Sequence, residues 1–254
     1  MNAKKKPSRP KIFVMGEAPL VDEIVAGCSQ RFDVLLKYNT ARYKGPLHRS
    51  KSVRPGKRVP RNVVMAIEAT NTSMEEKKKN LVAFDSALRR ATPILTSSVT
   101  VSVAEQATWT TFPERLVGFG AFPTLFGSGL MELSLGVRTA SDFIDQTKEF
   151  FLRMGKQVTV VQDRVGLILP RILCMLINEA CFALMENIAS AQDIDTAMKL
   201  GTNYPYGPIE WGEKIGMHQV YAVVKAIHDD LGEDRYRPAP LLKQLAFSGE
   251  FWRE

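Results

Sequence analysis

Apolar residues recur along the chain with two different periods, and the change of period divides it. In KIFVMG (11–16) and FDVLLKYN (32–39) short apolar runs bounded by polar residues predict strands, and between them PLVDEIVAGCSQR (19–31) carries apolar residues at helical spacing. The same alternation continues with NVVMAIEA (62–69) as a strand, SMEEKKKNLVAFDSALRRA (73–91) as an amphipathic helix, and TPILTSS (92–98), RLVGFGAF (115–122) and QVTVVQD (157–163) as further strands. Strands alternating with helices predict an α/β fold with a parallel sheet covered on both faces.

From about residue 166 the strand period disappears. Residues 167–189 predict one long apolar helix, and Ser190 with Asp193 three positions on reads as a capping-box-like start for AQDIDTAMKL, stopped at Gly201. Pro208 stands at a first helical position of PIEWGEKI, and MHQVYAVVKAIHDDL and APLLKQLAFSG complete an all-helical unit. The reading is therefore an α/β domain over 1–165 followed by a helical domain over 166–254, without internal repeats. Pro170, Arg171, Asn178 and Glu179 interrupt the 167–189 helix, which excludes a membrane span. Its apolar residues occupy more than one face, more than a small helical domain covers alone, which points to a homodimer.

Composition adds little except in its distribution. Residues 1–61 hold fifteen Lys or Arg against four acids, whereas 62–254 hold nineteen against twenty-three. Most of the excess lies in residues 37–61, with nine Lys or Arg, His48, three prolines, two glycines and no acid. So little apolar surface predicts an exposed loop, with Arg54, Lys57 and Arg58 as candidate anion ligands. Tyr38 and Tyr43 are the segment's only aromatic residues, too few for a stacking platform, which argues against nucleic acid. Cys28, Cys174 and Cys181 form neither a disulfide framework nor a metal cluster. The basic N-terminus runs straight into a strand with no export signal, so a cytoplasmic location is expected.

The helical half carries a dense set of markers: the NEA helix, DIDTAMKLG, the P-x-GP turn, the IG after it, and RYRPAPLL. VVMAIEA with MEEKKKNLVAFD, and PERLVGFGAF leading to LMEL, extend the set into the first half. Together these segments resemble the 3-hydroxyacyl-CoA dehydrogenase family. The resemblance implies a Rossmann-type domain that binds NAD, a helical domain that dimerises, and hydride transfer between NAD and the 3-hydroxyl of an acyl-CoA.

The residues depart from that pattern at each site. A dinucleotide fingerprint needs glycines in the first strand–helix turn and an acid after the second strand. GEAPLV keeps Gly16, but the next two glycine positions are Ala18 and Val21, Glu17 brings a charge, Pro19 removes an amide, and the acid position is Asn39. Glu68 stays at its family position. Lys37, Arg42 and Lys44 offer a second option, a 2′-phosphate. On these residues no cofactor is expected, although the resemblance implies NAD. Catalysis in the family rests on a histidine positioned by a glutamate twelve residues later, with a serine and an asparagine orienting the substrate oxygen. Counting back twelve from Glu132 reaches Gly120, the asparagine position is Pro170, and the serine position falls on Val99 or Thr100. Glu132 is left either as a buried hydrogen-bond acceptor or as an exposed acid.

Three further features have bland readings. His218 and His228 are placed near helix ends, away from Glu132, and FGSGL (126–130) is a glycine-rich bend of a kind that also cradles anions. Cys174 and Cys181, seven apart on an apolar face, are core. The expectation is a pseudoenzyme that binds an acyl-CoA-like or other anionic ligand, or serves assembly as a homodimer. A working but divergent dehydrogenase is the alternative, and nucleic-acid binding by the basic segment is a third reading.

Overall fold

The structure is a computed structural model that describes residues 9–39 and 52–249. Strand β1 (Lys11–Gly16) leads through a short turn into α1 (Leu20–Cys28) and β2 (Asp33–Tyr38), and a second crossover brings the chain back through β3 (Val53–Pro55) to β4 (Met65–Ala69). Helix α2 (Met74–Ala87), β5 (Ile94–Ser97), α3 (Val103–Ala107) and β6 (Leu116–Phe119) follow, then β7 (Leu130–Ser134), α4 (Ser141–Arg153) and β8 (Gln157–Val161). The eight strands lie in the order β3-β2-β1-β4-β5-β6-β7-β8, parallel except where β6 meets β7. The order in which strands are added reverses between β1 and β4, which run parallel, and this is the switch point where doubly wound sheets open a crevice at the carboxyl ends of their strands.

Both faces of the sheet are covered, as a parallel sheet requires. Leu20, Val21 and Ile24 of α1 and Phe150 and Phe151 of α4 fill one side, while Leu81 and Phe84 of α2 and Val103 of α3 fill the other. The helical part comprises α5 (Leu169–Met185), α6 (Ala191–Thr202), α7 (Pro208–Ile215), α8 (Met217–Leu231) and α9 (Pro240–Ser248). Its core includes Val99, Phe122 and Leu125 from loops at the carboxyl edge of the sheet, so the two parts share apolar surface. Burying each of these side chains stabilises that junction by about 2 kcal/mol.

Several expectations are corrected. The basic segment is not all loop: Val53–Pro55 pair with β2 as an edge strand, with Val53 packed against the core and Pro55 exposed on an edge where no second ladder needs its missing amide. Arg42, Lys44, His48 and Tyr43 lie outside the described residues. The long apolar helix is shorter than 167–189, spanning Leu169–Met185, because positive φ at Gly166, Leu167 and Asn187 breaks the helical path at both ends. Helix α6 runs past Gly201 to Thr202 and stops at Asn203, which takes the left-handed conformation. Strand β7 and helix α4 were not predicted, although α4 is amphipathic, with Thr147, Phe150 and Phe151 buried.

A buried ion pair fastens α2 to the start of β6. Arg115 is fully buried, and its guanidinium donates to Asp85 Oδ1 and to the carbonyls of Asp85 and Arg89, each at 2.8 Å. Burial pushes the Asp85 carboxyl up, but the guanidinium and the amides of Thr111 and Phe112 outweigh it and hold it below the ordinary value. A depressed carboxyl stabilises the fold fully above its unfolded pKa of about 3.9 and loses that contribution as pH falls through the folded value. Asp85→Ala is expected to lower the unfolding free energy by about 3 kcal/mol at neutral pH, because it leaves a buried cation unpaired. Urea titrations from neutral to acid pH check both parts: the difference from the natural protein narrows only below about pH 4. A difference that stays constant into acid would refute the pairing.

Candidate functional site

At the carboxyl edge of the sheet the first turn departs from a dinucleotide-binding loop. Gly16 is indispensable for a local reason: a β-carbon there would lie 2.3 Å from the carbonyl oxygen of Ala69, so β1 and β4 approach too closely for any other residue. Ala18 is half-buried in the turn, and Val21 is fully buried in α1 as core. The Glu17 carboxylate reaches across the switch point. Its Oε1 accepts from the amides of Asn71 (2.9 Å) and Thr72 (3.2 Å) and from Gln219 Nε2 (2.7 Å), and its Oε2 accepts from the Thr72 hydroxyl at 2.6 Å.

The two other cofactor positions are committed to a buried network. Asn39 donates its amide N–H to Gly16 and its side-chain amide to Thr70 Oγ1, and accepts from Asn80. Glu68 is fully buried, paired with the ammonium of Lys77 and bonded by Asn80 at 3.1 Å. Its charge is already neutralised inside the sheet, so it offers nothing to a ribose. A pyrophosphate at this turn would meet the Glu17 charge and a missing amide at Pro19, and among the described residues no free acid follows β2.

The count of twelve from Glu132 is a real spatial relation. The β6–β7 register sets Gly118 opposite Ser134 and Phe119 opposite Leu133, and Gly120 N donates to Glu132 O at 3.0 Å one step beyond. A β-carbon on Gly120 would stand 3.5 Å from Glu132 Oε2 and 2.7 Å from Leu167 Cδ1. The room beside the carboxylate is therefore filled by the buried Leu167 side chain. Glu132, 5% exposed, accepts from the amides of Ile168 (2.9 Å) and Leu169 (2.8 Å), where α5 begins. Pro170 has no amide to offer, and Arg171 N donates to Gly166 O, so the first amides of α5 are satisfied without another acceptor. Of the two readings of Glu132, the buried acceptor is the one observed.

The serine candidates diverge. Val99 is core, with its carbonyl accepting from Gly166 N, while the Thr100 hydroxyl donates to Asn71 O at 3.0 Å and lines a cleft between sheet and helices. That cleft, of about 740 Å³, is lined by the polar residues Asn71, Thr72 and Thr100 and by apolar or aromatic residues that include Val165, Tyr221 and Phe247. His218 lines it too, although its sequence position suggested only a solvated helix end. Its charged residues are Glu105, Asp229, Asp230 and Lys225, and Lys225 is already bonded to Asp229.

The remaining candidates do not converge on this cleft. Arg54, Lys57 and Arg58 are exposed on β3 and the turn after it; Arg54 lines a small depression with Lys11 and Asp33 at the starting ends of β1 and β2. The FGSGL bend turns its carbonyls inward: Phe126 O and Ser128 O accept from the Lys156 ammonium, so it holds a cation of the chain itself and not an anion. Burial pushes the Lys156 ammonium below its ordinary value. No group of ligating side chains suited to a metal occurs among the described residues, and no helix among them is long and apolar enough to cross a membrane. Sequence reasoning missed Asn71, Gln219 and Leu167, because each is polar or apolar in an ordinary way until the sheet edge brings it to a partner.

Comparison with known proteins agrees with the architecture. Residues 36–164 match the NAD binding domain of 3-hydroxyacyl-CoA dehydrogenase, and residues 166–254 match its C-terminal domain. A 3-hydroxybutyryl-CoA dehydrogenase of Bradyrhizobium diazoefficiens is 32% identical over 75% of this chain, the match spanning 65% of that protein's length. The 3-hydroxyadipyl-CoA dehydrogenase of Escherichia coli is 44% identical over 38% of this chain and 20% of its own. Among solved structures, (S)-3-hydroxybutyryl-CoA dehydrogenase PaaH1 from Ralstonia eutropha superposes with a TM-score of 0.78 at 22% identity, covering 97% of this chain and 96% of that one. M. tuberculosis FadB2 superposes with a TM-score of 0.83 at 18% identity, covering 95% of each. With both halves matched in sequence and the fold shared nearly end to end, the chain belongs to the 3-hydroxyacyl-CoA dehydrogenase family.

Proposed function

We propose that this protein is a member of its family without hydride-transfer chemistry, retained as a dimeric cytoplasmic protein that binds an acyl-thioester-like ligand in the cleft between sheet and helices. The observation that carries this reading is the Gly120, Leu167 and Glu132 arrangement. The position beside the carboxylate has no proton carrier, its space is taken by an aliphatic side chain, and the carboxylate is spent on two helix amides. General acid–base help of the kind removed is worth about 10²- to 10⁴-fold in rate. The fully buried thiols of Cys28 and Cys174 suit a reducing compartment.

The cleft supports binding of the acyl end. Its apolar lining of Val165, Tyr221 and Phe247 suits a short acyl chain. Three carboxylates against one lysine keep the phosphates of a carrier out of this cavity. Dimerisation is supported by exposed apolar residues on one side: Val160 on the edge strand β8 and Ile168 line a groove of about 690 Å³, and Ile172 is 53% exposed one turn further along α5.

A working enzyme is the alternative that the family match allows, and among the described residues His218, which lines the same cleft, would have to serve as its base. Purified protein is expected to show no NADH-dependent reduction of acetoacetyl-CoA above background; turnover abolished by His218→Ala would establish the working-enzyme reading instead. Gly120→His is expected to restore no turnover and to lower stability by about 1–3 kcal/mol, as overpacked cores do. Thermal melts and the same assay check both, and a stable, active variant defeats the proposal. Sedimentation velocity is expected to give a dimer at micromolar concentration and a monomer for Ile172→Asp.

A further inference from the structure

We infer that the loop after β4 and the start of α8 form a receptor for a small carboxylate, occupied by the chain's own Glu17, and that this contact latches the helical part onto the sheet. The donors are built as a site. Gln219 is fully buried and Asn71 is 4% exposed, and neither is free to turn. Asn71 Oδ1 accepts from the Ser97 hydroxyl at 2.5 Å, and its amide nitrogen donates to Ala121 O at 3.2 Å and to Gln219 Oε1 at 3.1 Å. With its oxygen engaged there, Gln219 must direct Nε2 toward Glu17, at 2.7 Å.

The carboxylate is thus held by two successive backbone amides, a hydroxyl and a pre-aimed side-chain amide, the donor set that concave anion sites use. Every donor is also independent of the Glu17 backbone: Asn71 and Thr72 follow β4, and Gln219 belongs to α8. Nothing in the set requires the anion to be tethered. The tether supplies it at high effective concentration, and in doing so ties the turn after β1 to the first turn of α8, 202 residues away in sequence. This inference does not depend on whether the cleft holds an acyl thioester or on whether the protein turns over substrate.

Removing the tethered anion should leave a receptor open to a free one. Glu17→Ala is expected to melt about 5 °C lower than the natural protein, since buried donors lose a charged acceptor. Sodium formate at about 100 mM should restore at least half of that loss in Glu17→Ala and leave the natural protein unmoved, with sodium chloride of equal ionic strength as the control. A Glu17→Ala protein that melts like the natural one overturns the proposal, as does formate acting equally on both or chloride acting as well as formate. If Glu17→Ala does not fold, Glu17→Gln decides: its amide oxygen keeps the Oε1 donors and its nitrogen can donate to the Thr72 hydroxyl, so it removes only the charge and should melt lower than the natural protein by less than Glu17→Ala would and ignore formate. A Glu17→Gln protein as stable as the natural one would also overturn it.

Discussion

Where parallel strands end and helices begin, backbone amides point into the same space, and each needs an acceptor. This structure meets the demand with two carboxylates from its own sheet. Glu17, just past β1, takes the amides of the loop after β4 and the side chain of Gln219; Glu132, on β7, takes the first amides of α5. The two contacts act on different helices, α8 and α5, so together they tie the helical layer to the sheet. The apolar contribution follows from that placement. Val99, Phe122 and Leu125 enter the helical core only because the helices are held against the loops that carry them.

The same demand bears on the proposed loss of hydride-transfer chemistry. In a binding-competent crevice, donors at the strand ends serve a ligand; here they are satisfied internally, and the residues around them have packed accordingly. Leu167 takes positive φ, which ends the irregular approach to α5 and turns its side chain into the space beside Gly120. Glu68 and Lys77 neutralise each other in the sheet, and Asn39, Thr70 and Asn80 close the network around them. Among the described residues each of these side chains has a partner.

Much of the fold was legible because hydrophobic period survives divergence: β1, β2, β5 and β8 and helix α8 lie close to where their apolar spacing put them. Strand β3 was not, since Val53, Arg54 and Pro55 carry no alternation and pair only because β2 offers an edge. The site was half legible. The twelve-residue count from Glu132 to Gly120 corresponds to an actual pairing across β6 and β7, because an antiparallel connection conserves register. The role of Glu17 was not, because its meaning depends on Gln219, and no local rule links residues so far apart. Likewise, FGSGL reads as a turn or an anion cradle until Lys156 is seen against its carbonyls.

Gly120 and Leu167 constrain each other: a β-carbon at 120 meets Leu167, and a shorter residue at 167 leaves a void beside Gly120. A single substitution at either position therefore lowers stability, and only a paired change keeps the packing. Two residues forty-seven positions apart in sequence behave as one unit, and neither can be judged from its own position alone.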